Sequence, residues 1–358
     1  MYIILMAGGT GTRFWPMSRR CKPKQMLQIT GSKSMIEMTY DRISSLTSPD
    51  KILVITNSDL KVSIEKLLSK IPAENIIAEP VGKNTAPCIG LAGAIIQARG
   101  DVDDIMVVLP ADHLVDDVKK FRKTLQIGVS YARENDCLIT IGIKPTYAET
   151  GYGYIQKSTK LQKKDGISIF KVKTFAEKPN LETAQRFLQS GDFLWNSGIF
   201  IWKVGQIMAE IDEHLPELGQ DLAIIKNAVN KTKFNKTVRD VYSRTKSISI
   251  DYGVMEVAKR VCVIQSDFPW NDLGSWEAVY NISKKDKNGN VVDGENSILL
   301  DSKNNYFYSK KKIIAAIDIE NLIVVEVADA ILICKQDQSQ NVKKVVEILE
   351  REELEKYL

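Results

Sequence analysis

Gly8, Gly9 and Gly11 follow a short apolar run, Tyr2 to Leu5, that reads as a first β-strand. Without Cβ atoms the backbone there can turn sharply and come close to a ligand. Successive N–H groups in such a turn form a concavity for anions. Arg13 and Lys24 add positive charge on either side, so the stretch Ala7-Gly8-Gly9-Thr10-Gly11-Thr12-Arg13 suits a triphosphate. A dinucleotide fingerprint would need a third glycine where Phe14 stands, and a P-loop would need a Lys-Ser or Lys-Thr pair that does not follow. Asp112 sits in L-P-A-D-H, just after the apolar run Ile105 to Leu109. Read alone, such an aspartate is either a ligand for a hard cation or a turn or helix-capping residue. His113 is better suited to a supporting role, because imidazole prefers softer metals.

The full string G-G-T-G-T-R-F-W-P-M-S-R at 8–19, with P-K-Q at 23–25, is more specific than its glycines. It resembles the N-terminal signature of sugar-1-phosphate nucleotidylyltransferases, and its F-W-P-M-S-R form resembles the mannose-1-phosphate guanylyltransferase branch. The resemblance covers nearly the whole chain. It implies that GTP and mannose 1-phosphate are the substrates and that Asp112 and Asp272, the latter in W-N-D-L-G-S-W, hold Mg²⁺. Arg13 and the loop N–H groups would hold the β- and γ-phosphates, and Lys24 would stabilise charge at the α-phosphate. The same pattern assigns Gly153, Glu177, Lys178, Asn196 and Asp251 to the sugar phosphate, with a helix cap as the other reading of Asp251. The loop bearing Glu79, Pro80, Asn84 and Thr85 falls to the base. Glu79 or a backbone carbonyl would accept from guanine N1–H and N2–H₂. The family usually shows Arg where this chain has Lys83, and Lys cannot fork to two acceptors. The resemblance also implies a homodimer supported by a small left-handed β-helix.

Composition agrees with an ordinary globular protein. The chain has 358 residues, 44% hydrophobic and 26% charged, enough for a core without staples. The 49 basic and 45 acidic residues leave a net charge of +4, too balanced to argue for nucleic acid. The five cysteines include no C-x-x-C, so neither a disulfide framework nor a zinc site is indicated. Cys137, Cys262 and Cys334 lie in apolar runs and read as core residues. No basic leader precedes the first strand, and no apolar run approaches the roughly 18–20 residues of a membrane span. A cytoplasmic protein is the expectation.

Elements to position these residues follow from hydrophobic periodicity. Apolar strands at 51–56, 75–78 and 105–109 alternate with helices at 35–46, 59–70 and 85–98. Strands apolar on both faces argue an α/β, Rossmann-like domain with a mostly parallel sheet covered by helices. Ligands in such sheets lie beyond the carboxyl ends of the strands, where the glycine loop, the Glu79 loop and Asp112 all fall. Further strands are expected at 168–175, 194–202 and 261–265, with a surface helix over 215–242. The expected catalytic domain is 1–283. A charged, Gly- and Asn-containing stretch at 284–296 reads as a linker. Short β-branched runs then give a small C-terminal all-β domain over 297–358, ending in a terminal helix at 342–358. No fused isomerase domain is expected after it. Trp15, Trp195, Trp270 and Trp276 are expected to shape the site by packing.

Overall fold

The computed structural model describes residues 1–9 and 11–358. Its strands begin with β1 (Tyr2–Met6), β2 (Ile52–Asn57), β3 (Ile76–Glu79), β4 (Ile105–Pro110) and β5 (Leu114–Val115). They continue with β6 (Leu138–Ile143), β7 (Tyr154–Lys164), β8 (Ile167–Ala176), β9 (Phe193–Lys203), β10 (Val261–Ser266) and β11 (Trp270–Asn271). Helices α1 (Met35–Ile43), α2 (Ser58–Leu67), α3 (Thr85–Ala98), α4 (Val118–Glu134) and α5 (Leu181–Ser190) are interleaved with them. After these come α6 (Val204–His214), α7 (Pro216–Ala228), α8 (Phe234–Arg244) and α9 (Trp276–Ile282). The chain divides into two compact units. One comprises Met1–Gly8, Thr39–Ala111 and Val115–Trp270; the other comprises Gly9–Met38, Asp112–Leu114 and Asn271–Leu358.

The first unit is built on a nine-stranded sheet in the order β3-β2-β1-β4-β9-β6-β10-β8-β7. β1 runs parallel to β2 and β4, β2 to β3, and β6 to β10. β9 is inserted antiparallel between β4 and β6, and β7 and β8 form an antiparallel pair. Ile3–Leu5, Ile52–Ile55 and Ile105–Leu109 are buried throughout, as continuous apolar runs covered on both faces must be. The surface helix expected over 215–242 is instead two helices, α7 and α8, with Leu218, Leu222, Ile225, Val238, Val241 and Tyr242 buried in the same core cluster as α3. Their apolar residues recur at helical spacing, and that stripe outweighs the charged faces that suggested exposure.

The second unit carries a β-helix-like stack. β12 (Val291–Gly294), β13 (Ser297–Leu300), β14 (Tyr306–Ser309), β15 (Ile314–Ile317), β16 (Leu322–Glu326) and β17 (Ile331–Lys335) supply two ladders. β12, β14 and β16 pair in parallel, with β17 antiparallel at one edge, while β13 pairs in parallel with β15. Buried asparagines hold the turns. Asn290 Nδ2 donates to the Ser302 carbonyl at 2.8 Å, and Asn305 Nδ2 donates to the Ile319 carbonyl at 3.0 Å. These bonds satisfy backbone groups that stacked coils would otherwise bury unpaired. The stretch 284–296 is therefore not a plain linker, because Val291–Gly294 is the first rung of the stack. The terminal helix, α10 (Val342–Arg351), is shorter than expected; Glu353 turns the chain out of it with φ of 56°. Phe14, Trp15, Leu273, Trp276, Tyr306, Val342 and Val346 share one buried cluster of this unit. No described helix is long and apolar enough to cross a membrane. All five cysteines are free thiols; Cys137 and Cys262 are buried as expected, whereas Cys334 is half-buried because its strand β17 lies at the edge of its ladder.

Candidate active site

Gly11 adopts a left-handed conformation, φ 61°, and starts a short 3₁₀ turn over Thr12–Phe14. A Cβ at Gly11 would stand 2.5 Å from Lys24 Cβ and 2.7 Å from its backbone N. Only glycine permits both the dihedral and the approach. Phe14 is buried against Trp276, ring centroids 5.0 Å apart, and Trp276 Nε1 donates to the Trp15 carbonyl at 3.1 Å. The tryptophans 15 and 276 thus brace the loop. Gln25 Nε2 donates to the Gly9 carbonyl at 3.0 Å and fixes its other arm. Thr10 lies outside the described residues.

Lys24 is buried, and its Nζ donates to Asp112 Oδ2 at 2.9 Å and to the backbone carbonyl of Asp272. Asp112 keeps a third of its side chain exposed, 33%. Burial pushes its carboxyl up, but the Lys24 charge, aided by His113 and the Lys24 hydrogen bond, holds it below its usual value. It is ionised at neutral pH. The second carboxylate, Asp272, precedes a backbone outlier. Leu273 is fully buried at φ 48°, and its N–H donates to Asn271 Oδ1 at 2.7 Å. A branched residue held at positive φ stores strain. The effect here is to bend the chain so that the Asp272 carboxylate oxygens crowd Gly274, 3.1 and 3.2 Å from where a Cβ would be. Gly11, Thr12, Arg13, Lys24, Asp112 and Asp272 line one cavity of about 290 Å³. Lys343, the second residue of α10, lines it too, although no sequence pattern singles it out. Two oxygen donors beside cations suit a hard divalent ion that is shared with phosphate oxygens. A grouping of three possible ligands among the described residues, Glu210, Glu213 and His214 on α6, includes a plain i,i+4 helix pair, His214 to Glu210.

A second cluster lies in the first unit. The chain turns at Lys178 with φ 46°, and Lys178 Nζ pairs with Glu177 Oε1. A Cβ at Gly153 would sit 2.5 Å from Glu177 Oε2. The Gly153 carbonyl accepts from Asn196 N at 2.8 Å. Asn196 Nδ2 donates to Asp251 Oδ1 at 2.6 Å, and its Oδ1 accepts from Thr140 Oγ1 at 3.0 Å. Gly153, Glu177, Lys178, Asn196 and Asp251 are therefore brought together, with Thr140 as a further member that no motif marks. The helix-cap reading of Asp251 fails: Ser249 Oγ, not Asp251, accepts from Tyr252 N at 3.1 Å. Burial is the main cause that raises the Asp251 carboxyl to about 6, with the Glu177 charge adding to it. Trp195 and Trp270 pack edge-on against Tyr152, at 5.2 and 5.4 Å between centroids.

Glu79 is buried, and Tyr242 Oη donates to its Oε1 at 3.0 Å. Its Oε2 stands 3.3 Å from where a Cβ on Gly8 would be. Asn84, at φ 68°, caps α3 by accepting from Thr85 N at 2.8 Å, and Thr85 Oγ1 accepts from Ile250 N at 2.8 Å. Pro80 is exposed at the edge of a groove of about 570 Å³ that holds none of the other candidate residues. Size alone does not mark the site. Burial raises the Glu79 carboxyl to about 7, against the Tyr242 hydrogen bond. The unfolded chain therefore releases this proton near 4.5 while the fold keeps it until about 7. Stability from this group falls as pH rises through that window and is level above it. Glu79→Gln keeps an acceptor for Tyr242 and removes the charge. Denaturant unfolding should find it level with the parent near pH 4 and more stable at pH 8, by about 3 kcal/mol at the upper limit. Equal stability at pH 8 would mean that the carboxyl ionises freely.

The comparisons with known proteins give the family. A family model described as Nucleotidyl transferase matches residues 2–289, and one described as MannoseP isomerase/GMP-like beta-helix domain matches 295–349. The chain is 36% identical over 351 residues to the mannose-1-phosphate guanylyltransferase of Escherichia coli, covering 97% of this chain and 75% of that protein. It is 38% identical over 357 residues to that of Klebsiella pneumoniae, covering 99% and 75%. This chain belongs to the mannose-1-phosphate guanylyltransferase family. The crystal structure of a Thermus thermophilus protein, described as a mannose-1-phosphate geranyltransferase, superposes with a TM-score of 0.87 at 31% identity, covering 98% and 99% of the two chains. Membership makes the chain a nucleotidyltransferase enzyme with an α/β catalytic fold and a β-helix-like tail. A divalent metal is general in nucleotidyltransferases of this kind.

Proposed function

We propose that the protein transfers GMP from GTP to mannose 1-phosphate, forming GDP-mannose and pyrophosphate, with Mg²⁺ as its metal. The observation that carries the reading is the gathering of Arg13, Lys24, Asp112 and Asp272 around one cavity beside the glycine loop. Arg13 and the N–H groups of Gly8, Gly9, Gly11 and Thr12 hold the β- and γ-phosphates; the Ala7 N–H, expected among them, instead donates to the Ile55 carbonyl at 2.8 Å. Lys24 stabilises charge at the α-phosphate. Lys178 and Glu177, propped by Gly153, Asn196 and Asp251, hold the sugar phosphate and its hydroxyls. A phosphate monoester with second pKa ~6 is mostly dianionic at neutral pH, so no general base is required. Its oxygen attacks the α-phosphorus, the bond to the bridging oxygen breaks, and pyrophosphate leaves with that electron pair. Positioning and charge neutralisation supply the catalysis. Mg²⁺, held by Asp112 and Asp272, would add charge neutralisation at the phosphates when bound.

The loop with Glu79, Pro80, Asn84 and Thr85 reads the base. With Glu79 committed to Tyr242, the acceptors for guanine N1–H and N2–H₂ are backbone carbonyls of that loop. In this reading residues 1–283 carry the transfer reaction and 297–358 support it. A homodimer fits the tail, where Ile298, Leu300 and Ile317 are each at least half exposed on the paired strands β13 and β15. An exposed apolar face of this kind suits a second copy. The cytoplasm fits five free thiols.

The test is pyrophosphate release by the purified protein with Mg²⁺, mannose 1-phosphate and GTP, ATP, UTP or dTTP in turn. Release with GTP alone is expected. Release with another nucleotide would overturn the assignment of the base loop. Absence of release with all four, alongside GDP-mannose binding, would point to a nucleotide-sugar-sensing protein instead.

A further inference from the structure

We propose that Lys343, from the C-terminal helix, binds the phosphates of the leaving pyrophosphate, so that the segment after the β-helix-like stack completes the triphosphate site. The inference deepens the reading above and rests on it. Lys343 lines the cavity that also exposes Arg13, Lys24, Asp112 and Asp272. Its place is set by its neighbours. Val342 and Val346 are 2% and 8% exposed in the cluster that contains Phe14 and Trp15, so α10 is packed on the residues next to the glycine loop. Two further ties hold this end of the chain. Trp15 Nε1 donates to the Tyr357 carbonyl at 2.9 Å, and Arg20 N donates to the Leu358 carbonyl at 3.1 Å.

Charge explains why a cation belongs there. Lys24 already faces Asp112, so its charge is offset before any substrate arrives. Arg13 alone is then left against the β- and γ-phosphates. Lys343 is exposed, and among the described residues no carboxylate pairs with it. It stands in the first turn of α10, which contains no acidic residue. A lysine at the positive end of a helix is unfavourable for the helix itself. A polyphosphate in the cavity offsets that cost, since the ammonium then faces negative charge.

Lys343→Gln, Lys343→Arg and, as a control on the same helix outside the cavity, Lys344→Gln would be compared with the parent. Pyrophosphate binding is measured by calorimetry, and KM values are measured in both reaction directions. With Gln at 343, pyrophosphate affinity should fall about tenfold or more, as for loss of a charge-assisted hydrogen bond. KM for GTP should rise in parallel, while KM for mannose 1-phosphate and Tm stay unchanged. Arg at 343 should restore most of the affinity, and Lys344→Gln should behave as the parent. Unchanged pyrophosphate affinity in Lys343→Gln overturns the proposal, as does an equal loss in Lys344→Gln. An inactive parent protein that still binds pyrophosphate through Lys343 would overturn the proposed reaction and leave this site standing.

Discussion

Asp112→Asn is expected to lower kcat by about 10³-fold, the several kcal/mol that a positioned divalent ion supplies to a phosphoryl-type transition state. Asn is nearly isosteric, and its carbonyl oxygen still accepts from Lys24 Nζ, the 2.9 Å contact of the parent. What it loses is the charge. That charge is firmly present in the parent, because Lys24 and His113 hold the carboxyl ionised against the cost of burial. Asp272→Asn should have the same effect. Its side-chain oxygens crowd Gly274, whereas the contact to Lys24 comes from its backbone carbonyl and survives the change. In both variants KM for GTP should change far less than kcat, and binding of Mn²⁺, followed by water proton relaxation, should weaken. Equal losses in kcat and nucleotide affinity would contradict a metal role. Preserved Mn²⁺ binding in both would do so directly. Asp112→Asn also leaves the buried Lys24 without a full counter-charge, so a modest fall in Tm is expected for it and not for Asp272→Asn.

Gly11→Ala is expected to lower kcat/KM by about 10²-fold, the cost of misplacing reacting groups by about 1 Å. The added methyl would meet Lys24 at 2.5 Å on Cβ and 2.7 Å on backbone N. Backbone cannot yield as the tip of a flexible side chain does, so Lys24 must move, and with it the contacts to Asp112 and the Asp272 carbonyl. The left-handed dihedral adds about 1–2 kcal/mol for any L side chain. Tm should therefore fall as well. Gly9→Ala is the control, since nothing stands within 4 Å of its added methyl and its φ is ordinary. It should leave Tm unchanged. An active, stable Gly11→Ala would show that the loop does not depend on the close approach of Lys24.

Much of the catalytic half is legible in the sequence. The parallel strands β1, β2 and β4 are continuous apolar runs, and such runs have few other solutions in a covered sheet. The glycine loop was legible because backbone chemistry dictates it: a left-handed turn and a close approach leave little choice of residue type. The strand β9 is legible too, but its antiparallel place in the sheet is not. Its residues Phe193–Lys203 alternate poorly and read as a turn into a strand, and nothing local says that they enter between β4 and β6. The core role of α7 and α8 was missed because their charged faces are as visible in sequence as their buried ones.

By itself, then, the sequence determined the family, the glycine loop and the identity of the charged residues, because each of these rests on side-chain type and short-range spacing. Only the tertiary structure decided their partners. Lys24 meets Asp112 across 88 positions, and Tyr242 meets Glu79 across 163. Asn196 joins Asp251 to Thr140 from three separate elements, and Lys343 reaches the cavity from the last helix. Such pairings follow from how helices and strands pack around a core. Packing is a property of the whole chain, which no stretch of residues encodes alone.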